Sequence, residues 1–281
     1  MFGSFGNSGF SSIPPVVKNL IIINVIMVLA TWVASVTFKV DLVSILGLFY
    51  PGSSHFQPYQ FVTHMFMHSP IYIKGGIFHV IFNMYALYMF GRVLEMVWGG
   101  KRFLIYYLAT GLGAVALHTF VNYIIISGIQ SSATAMLNTL SPETFAAFVT
   151  KHFPELYNTL YDTFLGAWYA APQNMAYANA ATEYTRQLIE LKMNIPTVGA
   201  SGAVFGVLLA FGMYFPNTQL MMLFIPFPIK AKYFVMGYGA IELYLGFAQP
   251  GSNIAHFAHL GGMLFGFILI KLWAHRRDKF Y

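Results

Sequence analysis

The sequence predicts an all-α polytopic membrane protein built on six transmembrane helices. Of its 281 residues, 57% are hydrophobic and 9% are charged, and its mean hydropathy is +0.62. A soluble domain is far more polar than this. Six apolar runs also have about the length of 20 residues that a helix needs to cross a bilayer, although the fourth is short. These runs lie at residues 17–37, 77–97, 103–126, 199–215, 230–248 and 254–274.

The composition excludes several classes of function. The chain has no cysteine, which rules out disulfides, thiol catalysis and thiolate metal sites. The formal net charge is +6, yet the basic residues lie between the apolar runs instead of forming one patch. They therefore indicate the orientation of a membrane protein and not nucleic-acid binding. We expect the lipid bilayer as a partner, and neither a cofactor nor a metal ion.

The distribution of lysine and arginine predicts that both termini are cytoplasmic. Ten of these residues fall on the side of the termini and five on the other side, spread over two longer segments. Basic residues concentrate on the cytoplasmic side of a membrane. The predicted organisation is a cytoplasmic leader (1–16), a core (17–274) and a cytoplasmic tail (275–281). The ten are Lys18, Arg92, Lys101, Arg102, Lys230, Lys232, Lys271, Arg276, Arg277 and Lys279, and the five are Lys39, Lys74, Lys151, Arg186 and Lys192.

The segments at 1–15 and 38–76 precede the first and second spans. The first segment carries no charge, which predicts a short leader before an uncleaved span and not a secretory signal. The second is aromatic and apolar around residues 59–68. Such a loop is expected to lie in the membrane interface, packed against the outer ends of the spans.

The external insertion at 127–196 follows the third span and is predicted to contain helices. Ser141 before Pro142 and Glu143 has the pattern of a helix start, and a second helix is predicted from Asn174 to Met193. We favour a set of amphipathic helices on the outer leaflet. The other interpretation is a surface that pairs with a partner or with another copy of the chain, which makes this insertion a possible site of homo-oligomerisation.

The fourth and fifth spans are joined by residues 218–229, which are apolar but contain Pro226 and Pro228. We interpret this segment as a membrane-embedded turn. The fifth span carries Glu242, the one charged residue predicted deep in a span. Bonding to a neighbouring helix or a place near the cytoplasmic end is a better explanation for it than an ion path.

Ser201 begins the fourth span among small residues and is a candidate nucleophile. Backbone N–H groups in the first turn of a helix have no partner within that helix, so a developing oxyanion beside Ser201 would be stabilised. The pattern is weak evidence alone, because Gly202 and Gly206 are also typical of close helix packing.

Two further polar positions lie at the outer ends of other spans. His79 and Asn83 are four residues apart in the second span, so they share one helix face and can donate to a common point. Structural bonding between helices is the alternative explanation for this pair. His259 begins the sixth span, whose glycines at 262 and 266 allow close approach to the fourth span. A Ser201–His259 hydrogen bond requires such packing.

These patterns together resemble the rhomboid family of intramembrane serine proteases. The resemblance covers most of the chain except the leader and the insertion. It rests on Gly-Ala-Ser-Gly at 199–202, His-x-x-x-Asn at 79–83, Gly-x-x-x-Glu at 91–95 and Ala-His-Leu-Gly-Gly-Met-Leu-Phe-Gly at 258–266. It implies a six-helix core of the bacterial type, a bacterial inner-membrane location and transmembrane segments of other proteins as substrates.

The resemblance also implies a role for each matching residue. Ser201 would be the nucleophile and His259 its general base, in a dyad without an aspartate. His79, Asn83 and the backbone N–H of Ser201 would form the oxyanion hole, and the fifth span with the loop at 249–253 would form a gate and cap. The chain departs from the family pattern in two places. Tyr59-Gln60 replaces a Trp-Arg pair, and Phe205 replaces a tyrosine one turn after the nucleophile, where it could still stack on His259.

Three alternatives to an active protease remain. A non-catalytic rhomboid-like protein that binds or chaperones membrane-protein clients would share the architecture, although such proteins lack the serine or the histidine. A metalloprotease would have to use His64 and His68, but the His-Glu-x-x-His pattern is absent. A transporter would be expected to show repeat symmetry, which the sequence lacks, or charged residues deep in its spans.

Overall fold

A computed structural model describes residues 13–70, 75–222, 225–248 and 255–277. The chain forms two compact units, the first from residues 1–48, 57–119 and 196–281 and the second from residues 49–56 and 120–195. In chain order the helices are α1 (Pro15–Phe38), α2 (Leu42–Leu46), α3 (Gln60–Thr63), α4 (Gly76–Trp98), α5 (Gly100–Leu137), α6 (Pro142–His152), α7 (Tyr157–Leu160), α8 (Gly166–Ala170), α9 (Met175–Met193), α10 (Ser201–Tyr214), α11 (Ala231–Ala248) and α12 (His256–Arg277), with strands β1 (Gln219–Met222) and β2 (Ile225–Lys230) between α10 and α11.

The predicted polytopic all-α fold is confirmed. Helices α1, α4, α5, α10, α11 and α12 coincide with the six predicted spans to within a few residues, except at the end of α5. Among the described residues, four helices have the length and apolar character to cross a membrane: Pro15–Phe38, Gly76–Trp98, Gly100–Leu137 and His256–Ala274. Helix α10 is apolar but has only 14 residues.

Helix α5 continues beyond the predicted end of the third span at residue 126. The continuation is polar overall, but Ile129, Ala133 and Met136 recur on one helix face and are buried in the core of the second unit. One 38-residue helix thus contributes to both units. The apolar run therefore predicts where the hydrophobic segment ends, but the helix itself continues to Leu137.

The segment between α10 and α11, for which the sequence predicts a membrane-embedded turn, contains a short antiparallel ribbon of β1 and β2. Gln219 pairs with Lys230 and Leu220 with Ile229. The ribbon pairs the backbone N–H and C=O groups of two strands with each other, which an irregular apolar turn could not do.

Helices α10 and α12 pack backbone to backbone, as the glycine pattern predicts. A methyl group on Gly262 would lie 1.8 Å from the carbonyl oxygen of Gly202, and one on Gly266 would lie 3.4 Å from the Cα of Gly206. The Tyr106 hydroxyl donates to the Gly206 carbonyl at 2.8 Å and holds α5 against α10. The glycines therefore set the distance between the two helices that carry Ser201 and His259.

Glu95 fixes the start of α1 against α4. Its carboxylate accepts the backbone N–H groups of Val16 and Val17 at 2.9 and 2.7 Å, two donors in the first turn that have no partner within the helix. The negative charge also lies at the positive end of the helix dipole. The Gly-x-x-x-Glu pattern at 91–95 thus has a structural role in this chain.

The second unit is a helical body with its own core. Its helices begin where the sequence predicts, because Ser141 caps α6 with a capping box and Asn174 caps α9. Phe145, Val149, Leu165 and Trp168 are almost fully buried in it. The apolar faces of these helices therefore pack on one another.

Candidate active site

The segment that precedes Ser201 is held by the loop between α1 and α4. Leu48 and Thr197 exchange backbone hydrogen bonds at 2.9 and 2.8 Å, and the Gly199 N–H donates to the His64 carbonyl at 3.0 Å. Gly199 has a φ of 122°, in a region that favours glycine. The predicted packing of this loop is found within the first unit, where it fixes the backbone that leads into α10.

That loop is anchored through the residues that replace the family's Trp-Arg pair. Gln60 is fully buried, and its amide donates to the Ile45 carbonyl at 3.2 Å. The Tyr59 hydroxyl donates to the same carbonyl at 3.2 Å. The departure at Tyr59-Gln60 therefore leaves the loop attached by hydrogen bonds of a different kind.

Ser201 and His259 meet at hydrogen-bond distance. Ser201 is the first residue of α10, and its Oγ lies 2.9 Å from Nε2 of His259 in the first turn of α12. The Phe205 ring stacks on the His259 ring with centroids 4.1 Å apart and planes 4° apart. Phe205 thus fixes the plane of the imidazole, as the sequence predicts for this position.

The structure places His79 beside the same point. A methyl group on Gly199 would lie 3.0 Å from Cε1 of His79 and 3.6 Å from Oγ of Ser201, so the glycine leaves room for the two side chains to approach each other. Asn83 is buried one turn later on α4, and its amide donates to the His79 carbonyl at 2.8 Å. A carboxamide has two N–H donors, so one remains for another acceptor.

Glu242 lies next to His259, on the side of the ring away from Ser201. Its Oε2 is 2.6 Å from Nδ1 of His256 and 3.0 Å from Nδ1 of His259. The contact with His256 is a hydrogen bond, whereas the contact with His259 has an ion-pair distance but is not aligned as a hydrogen bond. Glu242 is therefore bonded to the neighbouring helix α12, which is one of the two explanations that the sequence offers for it.

Sequence reasoning expected a neighbouring helix as the partner of Glu242 but did not identify His256 and His259 as the residues that it contacts, and no aspartate lies near His259 among the described residues. Asp41 lies in a loop and Asp162 in the second unit, and Asp278 lies outside the described residues. The available signal was a lone acid in the fifth span together with His-x-x-His at the start of the sixth. The predicted cap at 249–253 also lies outside the described residues.

His64 and His68, the pair considered for a metalloprotease, are both buried. Nδ1 of His64 lies 2.8 Å from the Gln60 carbonyl. Burial lowers the pKa of each ring to about 4. The His68 ring lies 5.4 Å from that of His79, a contact that sequence reasoning missed. The His68 ring thus packs against the His79 ring.

The arrangement unites the parts that acyl transfer needs. A hydroxyl faces an imidazole nitrogen, the other nitrogen of that imidazole lies near a carboxylate, and a second imidazole and the first turn of a helix lie beside the hydroxyl. Comparison with curated proteins gives no match. A family model described as Rhomboid domain matches residues 55–276, which include all of these groups. The chain belongs to the rhomboid family, a family of intramembrane proteases.

Proposed function

We propose that this protein is an intramembrane serine endopeptidase that cleaves transmembrane segments of other membrane proteins. The observation that carries the proposal is the 2.9 Å distance between Oγ of Ser201 and Nε2 of His259, two residues brought together by separate helices. The family includes proteases, and a chain that keeps both reacting groups in contact has the means for catalysis.

The Ser201 hydroxyl donates its proton to Nε2 of His259 as Oγ attacks the scissile carbonyl. The oxyanion that forms accepts hydrogen bonds from His79, Asn83 and the Ser201 N–H. His259 returns the proton to the leaving amine, and water then hydrolyses the acyl-enzyme. A substrate helix must unwind locally first, because its own backbone bonds occupy the carbonyl. Substrates with small or helix-breaking residues near the outer face are therefore preferred.

Glu242 is a positioning residue for His259 in this mechanism. Its carboxylate at 3.0 Å from Nδ1 favours the tautomer in which Nδ1 carries the proton, which leaves the lone pair of Nε2 free to accept from Ser201. Glu242→Gln is expected to lower kcat with little change in KM and to alter the pH profile of kcat. A purely structural role would lower thermal stability and leave that profile unchanged.

The test of the catalytic pair uses purified protein and a fluorescent transmembrane substrate. Ser201→Ala is expected to abolish cleavage and labelling by a fluorophosphonate while thermal unfolding stays near that of the wild type. Ser44→Ala is the matched control, because the Ser44 side chain is exposed and donates to the nearby Asp41 carbonyl. Undiminished cleavage by Ser201→Ala would refute the serine-protease mechanism. Absent labelling and cleavage in the wild type would favour a non-catalytic, client-binding protein.

Asn83 is the oxyanion donor whose role is hardest to separate from packing, since it already donates to the His79 carbonyl. We expect Asn83→Ala to lower the rate roughly 10- to 1000-fold, the loss typical of one oxyanion donor. An unchanged rate with lowered thermal stability would assign Asn83 to structure alone.

We further propose a bacterial inner-membrane location, which rests on the resemblance to the bacterial six-helix type, with both termini cytoplasmic, as the basic residues flanking the spans indicate. His79, Ser201 and His259 lie in the first turns of α4, α10 and α12, helices that the same topology makes enter from outside. The site would then open outward, where water for hydrolysis is available. Protease accessibility of tags at the two termini in intact cells tests this orientation, and cleavage of either tag from outside would contradict it.

A further inference from the structure

We propose that Glu242, His256 and His259 form an inhibitory site for a divalent metal ion of the zinc class. Binding of the ion would remove His259 from catalysis. The effect on activity rests on the proposed function, whereas binding itself does not. The site uses Nδ1 of His259, whereas Ser201 contacts Nε2 of the same ring, so the two sites do not share a nitrogen.

The three side chains offer the right donor atoms at close range. One ligand atom from each lies within 4.8 Å of the other two, and Oε2 of Glu242 is 2.6 and 3.0 Å from Nδ1 of His256 and His259. The exposed fractions of Glu242, His256 and His259 are 4%, 4% and 8%. A buried set of two imidazoles and one carboxylate is a combination that zinc proteins use, with a water or other ligand in the fourth position.

An unsatisfied atom supports a ligand at this point. Nδ1 of His259 is buried, and its one polar contact among the described residues, with the Glu242 carboxylate at 3.0 Å, is not aligned as a hydrogen bond. Nearly all buried polar atoms in proteins have a partner. A metal ion between the three side chains would accept the lone pair of this nitrogen and would neutralise part of the carboxylate charge.

The dimensions fit once the three side chains shift by up to about 1.5 Å relative to one another. Two ligands bound to zinc at about 2.0–2.1 Å in tetrahedral geometry are about 3.3 Å apart. The present separations of 2.6 and 3.0 Å between Glu242 and the two imidazoles need to lengthen by less than 1 Å. The imidazole ligand atoms of His256 and His259 lie within 4.8 Å of each other and need to come closer by up to about 1.5 Å. Imidazole ligands select zinc, cobalt, nickel or copper over magnesium and calcium, which prefer sets of oxygen ligands.

Inhibition follows from the tautomer of one ring. A metal ion on Nδ1 of His259 requires that nitrogen to be unprotonated, so the single ring proton moves to Nε2. Nε2 then donates to Oγ of Ser201 and cannot accept its proton. The serine loses its general base while the distance between the two residues is unchanged. A proton on Nδ1 permits catalysis, and a metal ion in its place prevents it.

Binding is tested without reference to activity. The full-length Ser201→Ala protein is titrated with Co²⁺, read by its visible d–d absorption, and with Zn²⁺ in competition. We expect one site, with affinity at least about 10-fold weaker in Ser201→Ala/His256→Gln, since even second-shell changes cost 10- to 100-fold in metal affinity. His55→Gln is the matched control, because His55 is exposed and lies in the second unit. Glu242→Gln provides the same comparison if the His256 variant does not fold.

Activity is then measured with Zn²⁺ after preincubation, because the ligands are buried. Zn²⁺ is expected to inhibit the wild type and His55→Gln, Mg²⁺ to have no effect, and a chelator to restore the rate. In His256→Gln the inhibitory concentration, relative to its own basal rate, is expected to rise at least about 10-fold. Three outcomes would overturn the proposal. They are equal metal binding in all variants, no Co²⁺ absorption in Ser201→Ala, and metal binding that does not inhibit an active wild type. An inactive wild type that still binds Co²⁺ through His256 would refute the protease function and retain the site.

Discussion

Gly262→Ala tests whether the close approach of α10 and α12 aligns Ser201 and His259, the proposed catalytic pair. The added methyl group would lie 1.8 Å from the Gly202 carbonyl oxygen, about 1.6 Å inside the 3.4 Å where ordinary van der Waals contact begins. Backbone atoms of a packed helix cannot rotate away, so α12 must move. Since Gly262 follows His259 by less than one turn, a shift of this size takes Nε2 well beyond its present 2.9 Å from Oγ of Ser201.

We expect two consequences of different size. Overpacking of a well-packed core costs typically about 1–3 kcal/mol, so the thermal midpoint should fall moderately. A misplacement of about 1 Å between reacting groups can cost about 100-fold, so kcat/KM should fall at least that much while folded protein remains. Gly237→Ala in α11 is the matched control, because its methyl group would meet nothing within 4 Å and alanine favours the helix.

The assay is cleavage of a fluorescent transmembrane substrate, with fluorophosphonate labelling and thermal unfolding measured on the same samples. Cleavage and labelling at the wild-type rate in a stable Gly262→Ala protein would refute the reasoning, because Ser201 and His259 would then still be aligned although α12 had to move. A loss of stability as large in Gly237→Ala would show that the effect comes from the substitution type and not from the contact.

Three other substitutions follow from single contacts. Tyr106→Phe removes the 2.8 Å bond to the Gly206 carbonyl and is expected to lower the free energy of unfolding by about 1–3 kcal/mol; an unchanged thermal midpoint would contradict this. Glu95→Gln weakens the cap on two N–H groups of α1 and should cost about 1–2 kcal/mol, measured by unfolding in the same detergent, where equal stability would show the charge to be dispensable. Burial lowers the pKa of His68 to about 4, so between pH 6.5 and 4 the unfolded chain takes up a proton on this ring and the folded protein does not. Over that range the free energy of unfolding is expected to fall by up to about 1.4 kcal/mol for each pH unit of acidification, and above pH 6.5 the ring causes no pH dependence. His68→Asn should flatten that part of a stability profile, and an identical slope would refute the assignment.

The helices of the core were predictable because each is a long apolar run with a recognisable beginning. Ser141 before α6 and Asn174 before α9 are helix starts that the structure bears out. The extension of α5 was not predictable from hydropathy. The second unit stabilises this extension through Ile129 and its neighbours, and tertiary packing of that kind leaves only a faint periodic pattern in the sequence.

The meeting of Ser201 and His259 was predictable for a different reason. Small residues on two helices indicate close packing, and close packing brings the residues at the starts of those helices together, which the 2.9 Å distance between Ser201 and His259 bears out. The stacking of Phe205 on His259 follows from its place one turn after Ser201. The contacts of Glu242 were not predictable in this way. Helix α11 is apolar around most of its surface, so no polar face indicates which side of α11 packs against α12.

A rule for such cases can still be drawn from the charges. A carboxylate within a membrane core requires donors nearby, since an unpaired charge there is costly. The only titratable residues in the adjoining described turns of α12 are His256 and His259, and a spacing of three puts both on one helix face. One acid and two histidines on sequential antiparallel spans therefore predict each other's positions, and the 2.6 and 3.0 Å contacts of Glu242 are what that reasoning requires. The lone acid of the fifth span thus indicates the rotation of α11 that its apolar residues leave undefined.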